Sequence, residues 1–124
     1  MNVSVPLLLG SFMLVLTGCA GSPHGNINKA WRAYDQGDCQ QANYQLSQAE
    51  RRSRSRAHLQ PEISLLRGLC LERQALYVDA VQTYRWIIRQ HPSSEYAWRA
   101  GARLETLRQL GHHDPDTPLP PEKR

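Results

Sequence analysis

Between residues 26 and 110 the apolar positions recur at spacings of three and four. Ala30, Ala33 and Tyr34 precede a break at Gln36-Gly37-Asp38, and Ala42, Leu46 and Ala49 follow it. Gly68 and Leu71 precede a second break around Gln74-Ala75. Tyr77, Ala80, Tyr84, Ile87 and Ile88 then follow, up to His91-Pro92. These spacings put the apolar side chains on one face of a helix, and no stretch alternates with the period of a strand. The pattern predicts five helices, at about 26–36, 39–56, 61–74, 77–90 and 94–110. Asp38 suits an N-cap and Pro61 a first-turn position. Pro92-Ser93-Ser94 stops one helix and caps the next, and Gly111 is placed as a C-terminal stop. The expected fold class is all-α.

A different pattern occupies the start of the chain. Val3 to Leu16 is an apolar run broken by Pro6 and Gly10, with no charged side chain. It is shorter than the roughly 20 residues a membrane-crossing helix needs, and has the length of a signal-peptide hydrophobic region. Leu16-Thr17-Gly18-Cys19 follows, and this stretch resembles the lipobox of bacterial lipoprotein precursors. The resemblance implies cleavage before Cys19 and lipid on its thiol, where a soft nucleophile is needed. It departs from the usual pattern in one respect: Met1-Asn2-Val3-Ser4 carries no Lys or Arg. Without the motif, the same run would read as an ordinary cleaved signal or an anchor. Ala20 rather than Asp follows the cysteine, which in Gram-negative lipoproteins implies transport to the outer membrane, facing the periplasm.

The division expected from these patterns is a signal peptide at 1–18, a lipidated linker at 19–25, a helical domain at 26–110 and a Pro-rich tail at 111–124. The tail, "GHHDPDTPLPPEKR", is too polar and proline-rich to bury a face.

The helical region resembles the tetratricopeptide repeat. Gly68, Leu71, Tyr77, Ala80, Tyr84 and Pro92 match that family's pattern, as do Ala30, Gly37, Asp38, Ala42 and Ala49. Trp98 and Ala102 begin a further half repeat. The resemblance implies about two and a half right-handed helical-hairpin repeats, in which small residues let paired helices approach and large ones fill the grooves. Arg67, Ile87 and Glu105 depart from it. The interval from Ala42 to Ala80 is 38 residues, longer than the family's 34-residue period. Extension of the second helix through "RRSRSRAHLQ" is the expected place for the excess. So short an array calls for support from a disulfide, a partner or self-association.

Charge and cysteines then narrow the setting. The net charge is +4, nearly all from arginine, since Lys29 and Lys123 are the only lysines. An exported protein meets no nucleic acid, so anionic lipid, polysaccharide or an acidic protein surface are the available partners. With Cys19 lipidated, Cys39 and Cys70 remain of the three cysteines. An oxidising compartment suggests one disulfide between them; two buried thiols are the alternative. A tetratricopeptide stack would place the start of the second helix beside the end of the third, bringing this pair within reach.

No catalytic motif or phosphate-cradling loop is present, and neither enzyme activity nor a cofactor is expected. His112-His113-Asp114 has metal-ligand residue types but belongs to the tail, and no metal site is assigned there. Arg51, Arg52, Arg54, Arg56 and His58 form a basic cluster, which reads either as a solvated helix end or as a contact for lipid headgroups or an anionic polymer. The tetratricopeptide resemblance implies a concave groove lined by the first helix of each repeat. That gives Ile27, Trp31, Tyr34 and Asp35, then Leu65, Leu69, Glu72 and Arg73, then Tyr96, Arg99 and Arg103. Of these, Trp31, Tyr34, Arg73, Tyr96, Arg99 and Arg103 are the expected partner-binding residues, being of the types common at binding hot spots. Arg99 and Arg103, one turn apart, are expected to grip a carboxylate together. The expected function is a lipid-anchored periplasmic adaptor for assembly of an envelope, pilus, secretion or exopolysaccharide export complex. A protein binding peptidoglycan or anionic polysaccharide through its arginines is the alternative.

Overall fold

A computed structural model describes residues 21–112 of the chain, and Cys19, His113 and Asp114 lie outside them. The described residues form five α-helices and one short 3₁₀ turn, with no strand among them. The helices are α1 (Pro23–Asp35), α2 (Cys39–Arg52), α3 (Gln60–Arg73), α4 (Tyr77–Gln90) and α5 (Glu95–Gln109). Each pairs with its neighbour in sequence, so the fold is an all-α array of helical hairpins. α3 also touches α1 and α5, which sets these three side by side in one layer with α2 and α4 behind them.

Small residues fix the approach of each hairpin. Asn26, Ala30 and Ala33 of α1 are buried, as are Ala42, Leu46 and Ala49 of α2, the helix it pairs with. The same 4–3 spacing recurs in α3 as Ser64, Gly68 and Leu71. There the Tyr84 ring of α4 lies so close over Gly68 that a Cβ would overlap it. In α5 the spacing gives Trp98, Ala102 and Glu105. No helix among the described residues covers that face, and Trp98 is 78% exposed. The two larger of three apolar clusters hold the hairpins together: Ile27, Leu46, Ile63 and Leu66 in the first, Tyr84, Ile87, Ala100 and Leu107 in the second. Leu69 packs against both, so the array has a continuous core.

Side-chain caps close three helix starts, two of them as expected. The Asp38 and Ser94 side chains accept from the amides of Gln41 and Ala97 at the starts of α2 and α5. Ser22 does the same for Gly25, with Pro23 in the first turn, so α1 begins three residues before its expected start at Asn26. The second correction concerns α2. It was expected to run to residue 56 but ends at Arg52, where the backbone amide and hydroxyl of Ser53 both donate to the Glu50 carbonyl. Residues 53–59, most of the stretch expected to lengthen α2, form a loop and the 3₁₀ turn Ala57–Leu59, not additional helix.

Cys39 opens α2 and Cys70 lies near the end of α3, with Cα atoms 5.5 Å apart. Both are buried, beside Ala33 and Ala42, and the pair is compatible with a disulfide linking the two hairpins.

Candidate functional site

The layer of α1, α3 and α5 presents a face whose side chains are held by two carboxylates of α3. Glu62, in its first turn, accepts the Trp31 indole N–H at 3.0 Å. The Tyr96 hydroxyl of α5 bonds the same carboxylate, and burial together with Glu62 pushes the phenol up to about 12. Glu62 therefore ties an aromatic residue of α1 to one of α5 across α3.

Glu72 does the equivalent near the other end of α3. Its Oε1 accepts the Tyr84 hydroxyl at 2.6 Å and the Arg103 Nε at 2.9 Å, while Arg103 Nη2 pairs with Oε2. The Glu72 side chain is only 11% exposed. Burial first, and then the hydrogen bond to Glu72, raises Tyr84 far above the usual phenol value. The hydrogen bonds it donates to Glu72 also raise Arg103, which stays charged.

Between these anchors lie Tyr34 and Arg73. The Trp31 and Tyr34 rings meet edge to face at 6.1 Å. The Arg73 guanidinium sits 3.8 Å from the Tyr34 ring centroid and donates to the Tyr34 carbonyl at the end of α1. Tyr34, Leu69, Arg73, Tyr77, Arg103 and Leu107 are among the residues lining a cleft of about 300 Å³ that spans α1, α3, α4 and α5. At its edge the Tyr77 and His112 rings stack at 3.6 Å.

Of the six residues expected from the sequence to bind a partner, Trp31, Tyr34, Arg73, Tyr96 and Arg103 are linked in this face. Arg99 stands apart: it is exposed, pairs with Glu95 on its own helix at 3.4 Å, and lies near the Tyr96 ring. The expected joint grip of Arg99 and Arg103 on an outside carboxylate is corrected here, because Arg103 already holds Glu72. Ile27 and Leu65, also placed in the groove from the sequence, are 2% exposed and belong to the core. Sequence reasoning missed Glu62, Tyr77 and Leu107. Glu62 was legible only as a first-turn acid of α3, a position that favours negative charge whatever else it does.

Among the described residues no three His, Cys, Asp or Glu side chains are grouped to hold a metal ion. Comparison of the chain with known protein families, curated proteins and solved structures finds no match.

Proposed function

We propose that this protein is a lipid-anchored interaction module of the bacterial envelope, and that it binds a protein partner on the face formed by α1, α3 and α5. The observation that carries this is the half-exposed row Trp31, Tyr34 and Tyr96, in which Trp31 and Tyr96 are held by the half-buried Glu62 and Tyr34 by the Trp31 ring and Arg73. Aromatic side chains fixed in this way lose little freedom on binding, which makes them effective anchors. The lipobox resemblance supplies the tether at Cys19, and the tetratricopeptide resemblance supplies the precedent for binding on the first-helix face. The test is affinity capture from detergent-solubilised envelopes with wild-type protein and with Trp31→Ala/Tyr96→Ala, each checked for native helix content. A protein retained in stoichiometric amount by the wild type and lost by the variant supports the adaptor. Identical capture by both removes this face as the site.

The uncovered Trp98 face of α5 favours a second mode, pairing with another copy of the chain. Sedimentation velocity distinguishes the two: a dimer that Trp98→Lys abolishes would assign self-association to α5.

A further inference from the structure

The basic cluster and the start of the described chain are at one end of the molecule. Arg52, in the last turn of α2, donates to the Gly21 carbonyl at 2.7 Å and to the Asn26 side chain at 2.9 Å. This fixes the α2–α3 loop beside the beginning of α1. Gly21 is two residues after Cys19, a chain length that reaches no further than about 7 Å. The same loop meets the end of α4: Arg54, Arg56, Trp86 and His91 are among the residues lining a recess of about 360 Å³. Arg89, in the last turn of α4, adds a further exposed cation there.

These charges are not used inside the fold. Arg51, Arg54, Arg56 and Arg89 are exposed, and no carboxylate of the described residues pairs with them. The nearby acids have other partners. Glu50 is held by Arg67 and Gln60, Glu62 accepts from Trp31, and Glu95 pairs with Arg99. The cluster also exceeds what capping one helix requires, since Arg54 and Arg56 lie beyond the end of α2.

We propose that this end of the molecule, centred on Arg51, Arg54 and Arg56, docks on the anionic phospholipid headgroups of the membrane that holds the lipid anchor. The inference rests on the lipid-anchor reading of Cys19, because that anchor brings this end, and not the turns at Gly37 and Ala75, against the bilayer. The arginines match headgroup phosphates in charge and geometry. Trp86, at the recess, offers an amphipathic ring of the kind that settles at the membrane interface. Docking this end would orient α1, α3 and α5 along the membrane normal and leave the Trp31–Tyr96 face open sideways to a partner.

The test uses the chain from residue 20 onward, which contains every residue of the described fold but neither Cys19 nor the hydrophobic leader. It is sedimented with vesicles of phosphatidylcholine alone and of phosphatidylcholine with one-third phosphatidylglycerol. Binding is expected on the anionic vesicles only, and to weaken as salt shortens the Debye length. Arg51→Gln/Arg54→Gln/Arg56→Gln should bind roughly 100-fold more weakly, at about fivefold per arginine near the surface. Its circular dichroism spectrum should match wild type, since these side chains make no hydrogen bond or ion pair among the described residues. Equal binding to both vesicle types, unchanged binding of the triple variant, or retention on a soluble polyanion without vesicle binding would overturn the proposal. Metabolic labelling with palmitate, compared between wild type and Cys19→Ala, tests the anchor separately. Label without vesicle binding would defeat the docking surface and leave the anchor. Vesicle binding without label would support the surface and remove the anchor.

Discussion

Substituting Glu72→Gln should be the most informative single change in the helical domain. The carboxylate takes three hydrogen bonds, one from Tyr84 and two from Arg103, and is almost out of contact with water. Glutamine keeps the shape but removes the charge and turns an N–H₂ group toward a guanidinium that has only donors. A hydrogen bond to a charged group contributes about 1.5–3 kcal/mol, and removing one partner of a fully buried pair costs about 3–5 kcal/mol. Arg103 is 37% exposed, so water recovers part of that loss. The discounted cost is about 2 kcal/mol, which for a domain of this size lowers the melting temperature by about 8–16 °C. Thermal unfolding followed by circular dichroism at 222 nm, with urea titration beside it, measures this directly. The Arg103→Gln and Glu72→Gln/Arg103→Gln proteins complete a double-mutant cycle, in which the paired change should cost clearly less than the sum. A fall of under 2 °C, or strict additivity, would show that Glu72 does not organise this face.

The other expectations concern the turns, the cysteines and pH. Ala75 is the one non-glycine residue with positive φ among those described, at 60°, where the first hairpin has Gly37 at 81°. Ala75→Gly should therefore raise stability, by up to about 1 kcal/mol once the extra freedom of glycine in the unfolded chain is allowed for, and a lower urea midpoint would refute the strain. The oxidised Cys39–Cys70 pair closes a loop of 31 residue steps. Reduction should cost about 3–4 kcal/mol, read as a melting temperature that falls by 10 °C or more; non-reducing peptide mapping that finds both thiols free would remove the link. Tyr84 titrates higher in the folded chain than in the unfolded one, through burial and Glu72. Its contribution is complete below the unfolded phenol value near pH 10 and declines as pH rises beyond it. Tyr84→Phe should flatten that alkaline decline, and an identical pH profile would contradict the assignment.

The parts of the fold visible in the sequence are those set by local periodicity. α4 runs from Tyr77 to Gln90 as its apolar spacing implies, because every third or fourth residue is needed in the core and His91-Pro92 closes the pattern. The end of α2 was not visible. "RRSRSR" offers no apolar period to mark a helix or its end, and the stop depends on Ser53 bonding back to Glu50. The start of α1 carried a usable signal, since Ser22-Pro23 is a cap followed by a first-turn proline, but the Gly, Pro and Ser content around it suggested a linker. The candidate face was half legible. Trp31, Tyr34 and Tyr96 follow from the groove that the tetratricopeptide resemblance implies, whereas the bridge from Glu72 to Arg103 spans 31 residues and exists only once α3 and α5 are packed. That packing also explains why an arginine expected to be free is engaged.

The central claim is that the α1–α3–α5 face meets a protein partner. Site-specific photo-crosslinking in growing cells tests it most directly, with the photoreactive residue at position 96 and, as a control, at position 44, the exposed tyrosine of α2 on the other layer. A discrete adduct of one mass should form from position 96 and not from position 44. No adduct at position 96, or the same adducts from both positions, would contradict the claim.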